Sequence, residues 1–254
     1  MKRPEDLHRE PGPPDRRVRV AQAWAVHAFT ASGAVLGFLA FVAVMEGDVV
    51  AVFMWLGLAL FVDAIDGTLA RRAGVTEFTP GFDGAVLDNI IDYFTYVAVP
   101  AMMVYWFGFV PPGWEIPAAA AIMGASCYTF ANVSVKTSDY WFSGFPALWN
   151  LVVLYFHILG TDPWTNLAVI GVCLVLTFVP IKYVHPFRVR SFRAVTIPVM
   201  VLWAATTLRL TLSAGGGAPA SALVFWLWVG SSVYFAGLSV WRTVWPERFT
   251  ADET

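Results

Sequence analysis

Charged side chains are scarce in this sequence. Asp, Glu, Lys and Arg together account for 13% of the 254 residues, whereas a soluble globular domain carries roughly 25%. Hydrophobic residues account for 58% and aromatic residues for 16%. These values exclude an ordinary soluble domain, and they predict a chain whose partner is the lipid bilayer and that binds no nucleic acid.

Cysteine is nearly absent as well. Cys127 and Cys173 both lie in apolar runs, and two such cysteines support neither a disulfide framework nor a cysteine-based metal site. We interpret both as small core residues. Residues 1–20 are polar, charged and rich in proline, unlike the short basic and apolar parts of a cleaved signal. We therefore expect residues 1–20 to form a cytoplasmic N-terminal tail.

Long apolar runs are what the sequence has in abundance. A membrane-spanning helix needs about 20 mostly apolar residues, and polar, Gly or Pro positions divide the chain into eight such stretches. We predict an all-α membrane protein, a bundle of about eight transmembrane helices forming one domain over residues 21–242, with a cytoplasmic C-terminal tail at 243–254. The predicted spans are residues 22–45, 49–71, 84–108, 117–135, 146–160, 165–184, 191–213 and 218–241.

The distribution of Lys and Arg predicts how these spans are oriented. If the N-terminus is cytoplasmic, all but one of the 16 Lys and Arg residues fall in segments on the inner side. The exception is Arg209, near an outer helix end, where a long side chain can reach the polar boundary. Lys and Arg accumulate on the cytoplasmic side of membrane proteins, so we predict that both termini are cytoplasmic.

Two pairs of aspartates interrupt the apolar runs. Asp63 and Asp66 are three residues apart near the end of the second predicted span, and Asp88 and Asp92 are four apart near the start of the third. Each pair lies on one helical face, and carboxylates within a membrane are costly enough to mark functional sites. One pair alone could simply meet water at the membrane edge. Two facing pairs at the inner end favour a site for Mg²⁺ or Mn²⁺, which prefer carboxylate and phosphate oxygens.

Small residues and an arginine accompany the aspartates. Gly67, Ala70 and Gly84 permit either ordinary close helix packing or backbone approach by a substrate. Arg71 is a cation in position to contact a phosphate, although an arginine here also suits a simple anchor at the inner boundary. These residues extend the candidate site toward the cytoplasm.

The spacing of these residues resembles a known signature, that of the CDP-alcohol phosphotransferase family. The match falls on two adjacent predicted spans. Twelve residues separate Arg71 from Gly84, a longer insert than is usual in the family and one that resembles its bacterial phosphatidylcholine synthase branch. The segments HAFTASGA, VKTSDYWFSGFPALWN and HPFRVR also resemble that branch. The matching residues are Asp63, Asp66, Gly67, Ala70 and Arg71, followed by Gly84, Asp88 and Asp92.

This resemblance implies an enzyme that transfers a phosphatidyl group from CDP-diacylglycerol to choline, giving phosphatidylcholine and CMP. It implies that two Mn²⁺ or Mg²⁺ ions are held by Asp63, Asp66, Asp88 and Asp92, and that Asp92 is also the catalytic base. The expected location is a bacterial inner membrane, crossed several times, with the active site facing the cytoplasm. The residues implied to bind CDP are Asp66, Gly67, Ala70, Arg71 and Gly84.

Aromatic side chains are the candidates for binding choline. Its quaternary ammonium donates no hydrogen bond, and such groups are held against aromatic faces. Tyr93 and Tyr96 follow Asp92 closely, while Trp141 and Trp149 lie in a stretch that resembles the synthase branch. Because Trp and Tyr also form belts at membrane interfaces, each candidate has that alternative role.

Two alternative functions stay open, as does the oligomeric state. The same chemistry could use another alcohol acceptor, namely serine, glycerol phosphate or inositol phosphate. A cation or proton transporter also places carboxylates inside a membrane, although it is expected to have them near the midplane or in both halves of the bilayer. The oligomeric state is undecided, and a homodimer is one of the arrangements left open.

Overall fold

The computed structural model describes residues 15–132, 142–179, 182–183 and 193–244, and within these ranges the chain is mostly helical. The first half contains α1 Arg16–Glu46, α2 Val49–Ala73, α3 Val75–Phe78, α4 Gly84–Asp92, a π-helical segment Tyr93–Ala98, α5 Val99–Trp106 and α6 Glu115–Ala131. The second half contains α7 Trp149–Leu159, α8 Pro163–Thr177, α9 Arg193–Ala214 and α10 Ala222–Val244. Two short strands, β1 Phe142–Ser143 and β2 Lys182–Tyr183, pair antiparallel.

Each predicted span contains helical structure. Helices α1, α2 and α6 to α10 each fall on one span, while α4, the π-helical segment and α5 follow one another without interruption across the third. Among the described residues, Arg16–Glu46, Val49–Ala73 and Ala194–Ala214 are long and apolar enough to cross a membrane, and α7, α8 and Ala222–Leu238 are apolar but shorter. The all-helical fold is confirmed and suits a membrane protein. The number of spans and the orientation of the termini stay predictions.

Helices α1 and α2 form an antiparallel hairpin with a tight turn. Gly47 ends α1 with a φ of 77°, a left-handed conformation that glycine adopts without steric cost. Asp48 begins α2, where its side chain accepts a hydrogen bond from Ala51 N at 2.9 Å. This bond satisfies one of the backbone donors that the first helical turn leaves unpaired. The Gly-Asp pair therefore sets the boundary between the two helices.

Helix α4, the π-helical segment and α5 form one continuous run over residues 84–106, the third helical run, which widens in its middle. At the end of the π-helical segment, Val99 N donates to Phe94 O, five residues back instead of the four of an α-helix. Pro100 follows directly and has no N–H, so the Tyr96 carbonyl lacks the partner that an α-helix would provide. We attribute the π-helical segment to this proline. The widening changes which side chains share a face with the aspartates of α4.

Glycines on α1 let the third helical run approach closely. A Cβ at Gly33 would lie 2.9 Å from Ile91 Cγ2, and one at Gly37 would lie 2.7 Å from Phe94 Cδ1. Both distances are shorter than real Cβ contacts, so a larger residue would require the opposing side chains or the helices themselves to shift. Close approach at small residues is a common way for membrane helices to pack. Helix α1 thereby holds the run that carries the second aspartate pair.

The connection from α2 to α4 contains the single-turn helix α3. Gly74 ends α2 with a φ of 64°. Asp83 begins α4, because its Oδ1 accepts hydrogen bonds from Ala85 N at 2.9 Å and Val86 N at 3.2 Å. This cap satisfies backbone donors at the helix start and fixes where the third helical run begins.

Candidate active site

Three carboxylates from two helices meet inside the bundle. One oxygen each of Asp63 on α2 and of Asp88 and Asp92 on α4 lie within 4.8 Å of one another. All three side chains are partly buried. Asp88 and Asp92 share a helical face because they are four residues apart, and Asp63 approaches them from α2. The structure therefore brings together three of the four aspartates that the sequence singles out.

Asp66 points in a different direction. It is 7% exposed, and its carboxylate faces Thr30 on α1. Side chains three residues apart on an α-helix differ in direction by about 60°, so Asp66 can face α1 while Asp63 faces the third helical run. In this structure Asp66 lies outside the group of three carboxylates, and its role as a metal ligand stays a prediction.

A tyrosine hydroxyl contacts one member of this cluster of three carboxylates. Tyr96 donates a hydrogen bond of 2.6 Å to Oδ2 of Asp63, and its side chain is 6% exposed. Tyr96 lies in the π-helical segment that directly follows α4. The structure thus places this choline-binding candidate beside the aspartates, where it makes a polar contact that the sequence pattern does not indicate.

His27 on α1 is a residue of this region that the sequence motif does not identify. Its Nε2 lies 2.9 Å from Oγ1 of Thr79 in the α2–α4 connection, and its ring packs against Phe82 with centroids 4.6 Å apart. Thr79 already donates its hydroxyl proton to Val75 O at 2.7 Å, so the imidazole N–H is the donor to Thr79. The sequence signal that could have found this contact is His27 and Thr30, two polar residues at helical spacing in the apolar first span.

The predicted CDP-binding residues lie along the C-terminal part of α2 and at the start of α4. Arg71 is exposed, and its Nη2 donates to the Thr68 hydroxyl at 3.1 Å. A Cβ at Gly67 would lie 3.5 Å from Arg71 Nη1, so the guanidinium rests over this glycine. Ala70 is half-buried and Gly84 begins α4. The guanidinium is therefore open to a ligand, and guanidinium groups bind phosphate oxygens through paired N–H donors.

Two of the other choline-binding candidates have hydrogen-bond partners elsewhere in the bundle. The Tyr93 hydroxyl donates to Met123 O at 3.1 Å on α6. Trp149 is 1% exposed and its Nε1 donates to Ser126 Oγ at 2.9 Å, so its indole is enclosed in the core and presents no open face to a ligand. Trp141 lies outside the described residues.

The cluster formed by the carboxylates of Asp63, Asp88 and Asp92 fits a hard divalent cation. All three donors are carboxylate oxygens, which Mg²⁺ and Mn²⁺ prefer. Two oxygens bound to one Mg²⁺ lie at most about 4.2 Å apart, twice the metal–oxygen distance of ~2.1 Å. The observed limit of 4.8 Å is only slightly longer, and small side-chain rotations would close the difference.

The fold and the site define a class, a helical membrane protein with a carboxylate centre inside its bundle. Comparison with known proteins narrows this class. The chain is 43% identical over 226 residues to a phosphatidylcholine synthase of Pseudomonas aeruginosa, covering 89% of this chain and 94% of that protein. It is 41% identical over 224 residues to a phosphatidylcholine synthase of Rhizobium johnstonii, covering 87% and 92%. A phosphatidylcholine synthase of Mesorhizobium japonicum is 45% identical over 185 residues, covering 73% and 69%.

The chain belongs to the phosphatidylcholine synthase family. It is accordingly an enzyme, a transferase of phospholipid biosynthesis, and the resemblance inferred from the aspartate motif is confirmed. No family model matches the chain. The transporter alternative has no support among these relatives.

Proposed function

We propose that this chain transfers the phosphatidyl group of CDP-diacylglycerol to the hydroxyl of choline, forming phosphatidylcholine and releasing CMP, in dependence on a divalent cation. The name shared by the relatives supports phosphatidylcholine as the product. The observation that carries the proposal is the meeting of Asp63, Asp88 and Asp92 within 4.8 Å. Transfer at a pyrophosphate calls for a centre of this kind, because anionic oxygens must be neutralised as the bond breaks.

Asp63 and Asp88 are the proposed ligands of Mn²⁺ or Mg²⁺, together with Asp92. Asp66 is the proposed further ligand, for a second ion. When bound, the cation neutralises the pyrophosphate and the charge that develops on the departing CMP. A cation at this position would also relieve the repulsion among three carboxylates held inside a membrane protein.

Asp92 is the proposed catalytic base. In the reaction the hydroxyl oxygen of choline forms a bond to the phosphorus of the phosphatidyl group while the bond from that phosphorus to the CMP oxygen breaks. The hydroxyl proton passes to Asp92, and CMP leaves with the electron pair of the broken bond. An alcohol is a weak nucleophile until it loses its proton, so a positioned base contributes a factor of about 10² to 10⁴.

The nucleotide is assigned to the inner end of α2 and the start of α4. Arg71 is exposed there and would bind phosphate oxygens of CDP through its N–H groups. Gly67, Ala70 and Gly84 would let the nucleotide approach the backbone, and Asp66 lies on the same helix turn as Gly67. We expect this site to open to the cytoplasm from a bacterial inner membrane that the chain crosses several times, because the distribution of Lys and Arg places this end of α2 on the inner side.

The test is an assay of the purified protein in lipid vesicles with CDP-diacylglycerol and a panel of alcohols. We expect choline-dependent release of CMP and formation of phosphatidylcholine, abolished by EDTA and restored by Mn²⁺ or Mg²⁺. Turnover of serine, glycerol phosphate or inositol phosphate in place of choline would reassign the acceptor. Full activity in excess EDTA would contradict the metal-dependent mechanism.

Ethanolamine in the same panel tests how the acceptor is recognised. Its small ammonium is strongly hydrated and seeks hydrogen-bond acceptors, whereas trimethylammonium is held by aromatic faces. Loss of one desolvated contact between a cation and a ring is worth about 2 kcal/mol, or roughly thirtyfold in affinity. We expect ethanolamine to be used correspondingly less well than choline, and equal use of both would argue against aromatic recognition.

A further inference from the structure

The hydrogen bond between Tyr96 and Asp63 involves the polar end of a side chain whose ring is enclosed. The distance of 2.6 Å from the hydroxyl to Oδ2 is typical of a hydroxyl bonded to a carboxylate. With only 6% of the residue exposed, protein covers almost all of the ring. The hydroxyl is therefore the part of Tyr96 that contacts the aspartate cluster.

The π-helical segment explains why Tyr96 reaches this position. In a regular α-helix each step of four residues turns the side-chain direction by about 40°, so Tyr96 would point about 80° away from Asp88 around the helix axis. A π-helical turn contains more residues, so each residue advances by a smaller angle and Tyr96 stays closer to the face of Asp88 and Asp92. Pro100 removes the α-helical partner of the Tyr96 carbonyl and thereby favours the wider turn.

Among the three clustered aspartates, Asp63 is the one that has no second member of the cluster on its own helix. Asp88 and Asp92 come from the same helix, whereas α2 contributes Asp63 alone to the group. A carboxylate rotates about its side-chain bonds, and a hydrogen bond to one oxygen fixes its plane while the other oxygen can bind a cation. Such outer hydrogen bonds are common at metal-ligating carboxylates, and their loss typically weakens metal binding about 10- to 100-fold.

We propose that Tyr96 is a positioning residue whose hydroxyl orients Asp63 as a ligand of the divalent cation. This role replaces the one that the sequence suggests, in which the ring of Tyr96 forms a wall of the choline pocket. The inference rests on the proposed function in one respect, since it takes Asp63, Asp88 and Asp92 as the metal site. It does not depend on which alcohol is the acceptor.

The variant Tyr96→Phe tests this role because it removes the hydroxyl and keeps the ring. Mn²⁺ binding to the purified protein is measured without substrates, from the electron paramagnetic resonance signal of the free ion, and KM for choline is measured at saturating Mn²⁺. We expect the Kd for Mn²⁺ to rise about 10- to 100-fold and the KM for choline to stay near its wild-type value. An unchanged Kd for Mn²⁺ overturns the proposal, whether or not the KM for choline rises.

Tyr155→Phe is the matched control. The Tyr155 hydroxyl on α7 lies 2.7 Å from Ser232 Oγ and accepts from Trp203 Nε1 at 3.2 Å, so this variant also loses a hydroxyl bonded inside the bundle. Its partners lie on α9 and α10, and we expect its Kd for Mn²⁺ to equal that of the wild type. Equal weakening in both variants would indicate general loosening of the bundle and would overturn the specific role of Tyr96.

A double variant separates positioning from damage to the fold. In an Asp63→Ala background the hydroxyl has no carboxylate to orient, so adding Tyr96→Phe should leave the Kd for Mn²⁺ unchanged. A further loss of affinity in the double variant would contradict the proposal. A wild-type protein that binds no Mn²⁺ would also contradict it, whereas one that binds Mn²⁺ but forms no phosphatidylcholine would refute the proposed function and leave the role of Tyr96 standing.

Discussion

A Cβ built on Gly84 would lie 3.0 Å from Cε1 of His27. The start of α4 therefore touches α1, while the same histidine bonds to Thr79 in the connection that precedes α4. The family resemblance implies that Gly84 belongs to the CDP site. The structure adds a second reason for a glycine here, because a Cβ at this position would press tightly against the imidazole.

We expect Gly84→Ala to lower turnover, because the added methyl group must displace either His27 or the start of the helix that carries Asp88 and Asp92. Overpacking of this kind typically costs about 1–3 kcal/mol. Turnover of CDP-diacylglycerol and the thermal unfolding midpoint are the measurements. The control is Gly57→Ala on α2, where an added Cβ meets nothing within 4 Å, and wild-type turnover in both variants would show that the contact imposes no constraint.

Gly37→Ala should destabilise the packing of α1 on the third helical run. The added Cβ would lie 2.7 Å from Phe94 Cδ1 and 3.0 Å from Thr95 Cγ2, and we expect a loss of stability of about 1–3 kcal/mol. Thermal unfolding in detergent is the measurement. Shortening the opposing ring in Gly37→Ala/Phe94→Leu should recover part of the loss, and the absence of any recovery would mean that the clash is not the cause.

Asp92→Asn should retain metal binding and lose turnover. The amide keeps an oxygen ligand but cannot take the proton of choline, so we expect kcat to fall by about 10² to 10⁴. Asp88→Ala should instead raise the metal concentration needed for activity as well as lowering kcat. Titrations of activity with Mn²⁺ distinguish the two variants, and near wild-type kcat in Asp92→Asn at saturating choline and metal would exclude this residue as the base.

Trp149→Ala should lower stability without a selective effect on choline. The indole is 1% exposed and bonds to Ser126, and truncating a buried Trp typically costs about 3–5 kcal/mol. The unfolding midpoint and the KM for choline of the folded protein are the measurements, with the milder Trp149→Phe as a second variant. A raised KM for choline with an unchanged unfolding midpoint would support a place for Trp149 in the choline pocket.

Reporter fusions test the orientation of the bundle. The distribution of Lys and Arg predicts that both termini and residues 72–83 face the cytoplasm. Fusions after Thr254 and within the α5–α6 connection near Gly113 should therefore report opposite sides of the membrane. Labelling of both fusions on the same side would contradict an eight-span topology.

Much of the fold could be predicted from the sequence because it depends on local properties. The length and hydropathy of a run favour a helix there, and the third helical run begins at Gly84, the predicted first residue of the third span, because Asp83 caps it. The spacing of Asp88 and Asp92 places them on one helical face before any tertiary contact is known. The relative directions of such side chains can be predicted from the geometry of a single helix.

The directions of side chains across helices were decided by the tertiary structure. Asp66 belongs to the same motif as Asp63, yet it faces Thr30 on α1, because the rotation between the two positions allows each to meet a different neighbour. Tyr96 meets Asp63 through a π-helical turn, and Trp149 is enclosed by residues far from it in sequence. Helical periodicity specifies which residues share a face, but the element that this face meets depends on how the helices pack. For this reason the aspartates could be identified from the sequence, whereas the partners that hold them could not.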